Sequence, residues 1–188
     1  MLGERFSEAL VFANELHGGH LRKGTRIPYM AHLLTVSALV LEAGGTEQEA
    51  IAALLHDAVE DQGGEPTLDK IRDRFGGHIA DLVDECTETL KDPKPPWKER
   101  KLEYIAHMAK ASPSARLISC ADKLHNIRSL LTDFEQLGDA LWSRFNARKE
   151  ETLWFYQALV STIRDAGESR PIIFALEREV AHLVDIVS

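Results

Sequence analysis

Apolar residues return at three- and four-residue intervals along almost the whole chain, and the two-residue alternation of a half-buried strand is nearly absent. Such a period commits a chain to helices, each burying one apolar stripe against its neighbours. A first helix is expected from about Arg5 to His17, with Phe6, Ala9, Leu10, Ala13 and Leu16 on one face and Gly18-Gly19 as its stop. Leu21 to Tyr29 breaks the period and reads as an irregular loop, with room for one short hairpin near 22–29. A second helix carries His32, Leu33, Val36, Leu39 and Val40 and stops at Gly44-Gly45. Thr46 and Glu49 have the spacing of a capping box, so a third helix should start there and run through Leu55 to about Glu60. Thr67 is the expected cap of the next, which ends at Gly76-Gly77, and another follows to about Leu90. Lys91 to Pro96 is a proline-broken loop between core helices. Ser112-Pro113 supplies an N-cap and a proline at the first helical position. The helix it opens holds Leu117, Ile118, Ala121, Leu124, Ile127, Leu130 and Leu131. Ala140 to Asp165 is long and rich in aromatics, and 168–188 is a last amphipathic segment with helical spacing from Ile172 to Val187. The expectation is an all-α fold, a single helical domain over residues 1–188 without internal repeats.

Composition narrows the function classes. The 188 residues suffice for one domain with a real core, and 44% apolar with 28% charged residues is an ordinary globular balance. A formal charge of −8 argues against duplex DNA, whose binders neutralise phosphates with many cations, so no nucleic-acid partner is expected. A small phosphorylated substrate stays open, because a bound metal and a local basic cluster reverse the field inside one pocket. No apolar run approaches the roughly 20 residues of a membrane span, and the first residues do not resemble a signal peptide. Cys86 and Cys120 form no metal or redox pair and read as small core thiols, which suits a cytoplasmic protein.

Chemistry concentrates in four places. His56-Asp57 with Glu60-Asp61 closes the third helix, and residues three and four apart there share a face. Three carboxylates near a core repel one another, and a divalent cation removes that cost. An acidic, solvated helix end is the plain alternative, although helix C-termini favour positive charge. His32 lies 24 residues upstream on the preceding helix; alone, it would read as structural. Asp122 interrupts a strongly apolar helix, with Asn126 one turn later on its face. An ion pair with Lys123 would explain it, but adjacent residues of a helix point apart. Two imidazoles and two carboxylates suit Mn, Fe or Zn better than Mg. Arg22-Lys23-Gly24-Thr25-Arg26, just before His32, could clamp a polyphosphate, or be a solvated loop.

The order His32, then His56-Asp57, then Asp122 resembles the HD superfamily of metal-dependent phosphohydrolases. More narrowly, the chain resembles the hydrolase domain of Rel/SpoT-type alarmone enzymes and the small stand-alone alarmone hydrolases. Arg22-Lys23-Gly24, Pro28 to His32, His56 to Asp61, Arg74-Phe75-Gly76 and Ala121 to Asn126 carry the likeness, strongest over residues 6–160. Gly19-His20, Leu33, Gln62 and the Pro93–Trp97 loop depart from the family pattern. The resemblance implies hydrolysis of the 3′-diphosphate of ppGpp or pppGpp to pyrophosphate and GDP or GTP, usually with Mn²⁺. It assigns His32, His56, Asp57 and Asp122 to the metal, Glu60 and Asp61 to catalysis, and Arg22, Lys23 and Asn126 to the nucleotide. The bifunctional relatives continue into a synthetase domain, so hydrolysis without synthesis is expected. The alternatives are an HD phosphohydrolase for another nucleotide or a phosphorylated dinucleotide cofactor, and a catalytically silent nucleotide-binding module. Oligomeric state is not readable, and His17, His20, His78, His107, His125 and His182 receive only packing roles.

Overall fold

The starts of two central helices follow from side-chain chemistry at the first turn, where backbone N–H groups lack helical partners. In the computed structural model, which describes residues 2–91 and 93–187, Thr46 Oγ1 accepts the Glu49 N–H at 3.3 Å. Glu49 Oε2 in turn accepts the Thr46 N–H at 2.7 Å, so the expected capping box opens the helix Glu47–Leu55. Ser112 Oγ accepts the Ala115 N–H at 3.1 Å and Pro113 begins the helix Pro113–Leu137. Met1, Asp92 and Ser188, at the ends of the expected domain and inside the 91–96 loop, lie outside the described residues.

In chain order the helices are α1 (Glu4–His17), α2 (Met30–Glu42), α3 (Glu47–Leu55), α4 (Ala58–Asp61), α5 (Glu65–Phe75), α6 (Gly77–Cys86), α7 (Trp97–Met108), α8 (Pro113–Leu137), α9 (Lys149–Asp165) and α10 (Pro171–Val187). No strand occurs among the described residues, so the all-α expectation holds. The hairpin near 22–29 reduces to one antiparallel bridge between Leu21 and Pro28, with the Arg22 N–H donating to the Ile27 carbonyl at 2.9 Å.

Every residue of α3 from Glu49 to Leu55 is buried. This helix forms the centre, with α1, α2, α6 and α8 around it. The long α8 carries the core outward, packing on α2 and α6 and then on α10, which also contacts α9. Apolar side chains from α1 through α10 join one core cluster. All seven core positions expected on α8 are buried, as are Ile172, Leu176, Leu183 and Val187 of the last helix. The C-terminal segment therefore packs on its own chain. Both cysteines are free, and burial pushes the Cys120 thiol up to about 12.

Four boundaries differ from the sequence reading. The third helix does not reach Glu60: it stops at Leu55, and Asp57 has φ −95° and ψ −4°, the geometry of a turn. Thr67 is not a cap, because Gly64 at φ +64° turns the chain a residue earlier and α5 starts at Glu65. The Thr67 hydroxyl instead donates to the Gln62 carbonyl. The helix expected to reach Leu90 ends at Cys86, where the Thr87 hydroxyl donates to the Val83 carbonyl at 3.0 Å and the chain becomes extended. The aromatic stretch divides into a 3₁₀ turn, Gly138–Arg144, and α9. Gly18 follows α1 with φ −60°, so α1 stops without a left-handed glycine. Between α5 and α6 the chain does need one, and Gly76 sits there at φ +85°.

Candidate metal centre

The break between α3 and α4 is what lets two neighbouring residues face one point. On an unbroken helix, His56 and Asp57 would project about 100° apart. Here the ligand atoms of His32, His56 and Asp57 lie within 4.8 Å of one another. His32 comes from the first turn of α2 and Asp122 from the third turn of α8, the two helices packed beside α3. Asp57 Oδ2 is 3.1 Å from His56 Nε2 and 3.5 Å from His32 Nε2. Asp122 Oδ1 is 3.3 Å from His32 Nε2 and 3.8 Å from His56 Nε2.

The tautomers follow from the other ring nitrogens. His56 Nδ1 donates to the Ala53 carbonyl at 2.8 Å, which leaves Nε2 as a lone pair. That Nε2 is buried and has no hydrogen-bond partner. His32 Nδ1 lies 2.7 Å from His125 Nδ1, and a proton on the His32 side leaves a second lone pair at its Nε2. Two lone pairs facing two carboxylates are repulsive unless a proton or a cation sits among them. Burial opposes a proton on His56, yet Asp57 and Asp122 outweigh it and hold its pKa well above the ordinary value. Burial likewise opposes charge on Asp57 and Asp122, but His56, His32 and, for Asp122, Lys123 hold both well below the usual carboxylate range. A buried acceptor set that draws positive charge this strongly fits a divalent cation.

One sequence inference is corrected here. Lys123 does not point away from Asp122: its ammonium contacts Asp122 Oδ2. The four-carbon stem is long enough to curl back on the adjacent residue, so Asp122 offers one oxygen to Lys123 and the other to the imidazoles.

Further side chains complete the surroundings of this cluster. The Tyr29 hydroxyl donates to Asp57 Oδ2 at 2.5 Å, and burial and the Asp57 charge push its pKa up. His17 stacks on Tyr29 with ring centres 5.3 Å apart. Burial pushes the pKa values of His17 and His125 down to about 4, keeping both rings neutral near neutrality. His125 does have a sequence signal: it lies three residues after Asp122 on one helix, hence on the same face. Tyr29 has no comparable signal, because it precedes α2 and reaches Asp57 through the tertiary fold.

Glu60 and Asp61 lie on α4 beside this cluster. Glu60 Oε1 pairs with Lys94 Nζ at 2.9 Å, and Oε2 accepts the Glu88 N–H at 3.3 Å. Asp61 keeps an exposed edge, yet partial loss of water around it, with the charges of Asp57 and Glu60, pushes its carboxyl up to about 6. Arg22 reaches the cluster through a relay: its Nη2 donates to Asn126 Oδ1 at 2.9 Å, and Asn126 Nδ2 donates to Asp122 Oδ1 at 2.5 Å. A cavity of about 580 Å³ opens beside this relay, lined by Arg22, Lys23, Tyr29, His125, Asn126 and Arg128 among others. Arg26, the third cation of the loop, is exposed and does not line it.

The chain is similar to known proteins. The HD-domain family matches residues 9–153. The guanosine-3′,5′-bis(diphosphate) 3′-pyrophosphohydrolase of Xenopus tropicalis is 38% identical over 126 residues, 65% of this chain and 68% of that protein. The enzyme of that name from Aquifex aeolicus is 35% identical over 130 residues, 68% of this chain but 18% of a much longer protein. A solved structure of a metazoan ortholog of SpoT, described as hydrolysing ppGpp, superposes with a TM-score of 0.79 at 28% identity over 97% of both chains. With a family match spanning most of its length and the shared helical architecture, the chain belongs to the HD-domain family.

Proposed function

We propose that this protein hydrolyses the 3′-diphosphate of ppGpp or pppGpp, releasing pyrophosphate and leaving GDP or GTP. The observation that carries the proposal is the buried, unpartnered His56 Nε2 facing Asp57 and Asp122, beside a cavity walled by Arg22, Lys23 and Arg128. The named activities of the relatives support the choice of substrate.

His32, His56, Asp57 and Asp122 are the residues that would hold one divalent cation; the mixed nitrogen and oxygen set suits Mn, Fe or Zn, and the resemblance to the alarmone hydrolases puts Mn²⁺ first. When bound, it supplies Lewis acidity to a phosphate oxygen and lowers the pKa of a water molecule. The chain's own residues do the rest. Asp61, with its raised pKa, accepts the proton of the attacking water. Glu60, fixed by Lys94 and the Glu88 N–H, orients that water. The water oxygen bonds to the inner phosphorus, the bond from phosphorus to the ribose 3′ oxygen breaks, and the proton ends on that oxygen. Arg22 and Lys23 hold phosphate oxygens, and Asn126 keeps Arg22 in register with Asp122. Tyr29 and His125 fix the orientations of Asp57 and His32.

This reading takes residues 1–188 as one HD-type domain acting in the cytoplasm on a small nucleotide. No helix among the described residues is long and apolar enough to cross a membrane. The test is a substrate panel with product analysis. Mn-loaded protein should convert ppGpp to GDP and pyrophosphate and leave GTP, GDP and ATP intact. Turnover confined to another phosphate ester, such as a phosphorylated dinucleotide, would keep the metal chemistry and discard this substrate.

A further inference from the structure

His17 is buried at the end of α1, and neither of its ring nitrogens has a hydrogen-bond partner among the described residues. The imidazole therefore acts through its ring surface alone. One face lies against Tyr29, with ring centres 5.3 Å apart and planes 20° from parallel. Tyr29 in turn meets the His32 ring at 5.4 Å and 63°, and its hydroxyl donates to Asp57 Oδ2. The phenol thus has a buried imidazole and a proposed metal ligand as its ring neighbours. Backbone hydrogen bonds bring these groups together. The His20 N–H donates to the His17 carbonyl at 2.9 Å, and the Tyr29 N–H donates to the His20 carbonyl at 2.8 Å. The loop after α1 is thereby folded back on the helix end, where the His20 ring meets His17 edge-on at 5.8 Å. α1 itself packs on α3 and α4, the two helices that flank Asp57. A tyrosine turns about two side-chain bonds, and its hydroxyl keeps one partner only where packing restricts both.

We propose that His17 is a positioning residue: its face locks the Tyr29 phenol so that the hydroxyl meets Asp57, and this contact sets the affinity of the centre for its divalent cation. A helix that supplies no ligand would in this way hold one in place. The role rests on the metal-centre reading and is independent of which phosphate ester is cleaved. A side chain that only fills space is replaceable by any apolar group of similar size, whereas one that acts by its face needs a flat ring.

The test follows the hydrogen bond and the metal separately in the full-length protein. The chain has three tyrosines, so NMR of isotope-labelled tyrosine in metal-free protein resolves Tyr29 as the signal lost in Tyr29→Phe. Asp57→Asn should move that signal in the wild-type background, because the hydroxyl loses its carboxylate partner. In His17→Leu the same substitution should leave it unmoved. Mn²⁺, titrated calorimetrically with Asp57 intact, should bind about tenfold more weakly to His17→Leu and to Tyr29→Phe. The double variant should bind it no more weakly than Tyr29→Phe alone, and His17→Phe should keep wild-type behaviour in both measurements. Should His17→Leu fail to fold by circular dichroism, His17→Ala takes its place. A Tyr29 signal that responds equally to Asp57→Asn in both backgrounds, unchanged Mn²⁺ affinity, fully additive losses, or His17→Phe as weak as His17→Leu overturns the role. Any of these with Mn-dependent ppGpp hydrolysis intact would leave the proposed function standing. The expected pattern without ppGpp hydrolysis would keep the role and overturn the substrate, and a wild type that binds no Mn²⁺ would overturn the metal centre and the role together.

Discussion

Each proposed metal ligand is fixed by one or two partners that decide which of its atoms faces the centre. The Ala53 carbonyl sets His56, His125 meets His32, Tyr29 holds Asp57, and Lys123 with Asn126 holds Asp122. Removing a ligand and removing the residue that orients the water should therefore separate cleanly. Asp57→Ala is expected to lose both metal and turnover. Glu60→Gln should keep its metal and lose about 10²-fold in kcat, the cost of a misplaced water. Metal content and rate, measured on the same samples, check the pair; wild-type turnover in Glu60→Gln would contradict the role given to it. The pH profile tests Asp61. A carboxyl with a pKa of about 6 must be ionised to accept a proton, so activity should fall as pH drops below about 6 and level off above it. Asp61→Asn should remove that acid limb along with most of the rate. His56, Asp57 and Asp122 stood out as candidate ligands because His-Asp-x-x-Glu-Asp and a lone Asp in an apolar helix violate ordinary patterning, while His32 was singled out only by the family resemblance. Tyr29 was not, because nothing local links it to Asp57, and Lys123 was misjudged because helix geometry places Cα–Cβ bonds and says little about where a long stem ends.

At the scale of elements, caps were the most readable signals, since each is a local exchange of hydrogen bonds between a side chain and the first turn. Thr46 and Ser112 both cap as their spacing indicates. Thr46→Ala should cost about 1 kcal/mol of stability while leaving kcat unchanged, because α3 is central to packing and its first turn is remote from the ligands. Thermal melting and steady-state rates would show it. The breaks were the least readable. Between Leu55 and Ala58 the apolar period continues unbroken in sequence, so nothing announces the turn at Asp57 that aims both His56 and Asp57 at one point. The end of α6 was hidden for a related reason: Thr87 closes it with its own hydroxyl, where no glycine or proline marks the stop.

For the whole molecule, the net charge of −8 and the anionic substrate proposed for it are compatible because charge is segregated. The cavity beside the centre carries Arg22, Lys23 and Arg128 against the single carboxylate of Asp133, and a smaller adjoining cavity carries three lysines, while acids outside them dominate the total. The last helix matters to this arrangement because it packs on α8, the helix that carries Asp122. Leu176 is fully buried where α10 packs, and Leu176→Ala should destabilise the fold by about 2–5 kcal/mol. Denaturant unfolding should register that loss without a change in metal stoichiometry. Helical periodicity revealed this helix, but whether its apolar face met its own core or a partner depended on packing that only the fold supplies.

The most direct test of the central claim is pyrophosphate release from ppGpp by metal-stripped protein, measured before and after Mn²⁺ is restored. The account predicts no release from the stripped protein and recovery on adding Mn²⁺ in proportion to one ion per chain. Undiminished release after complete metal removal, or none with metal bound through His32, His56, Asp57 and Asp122, would contradict it.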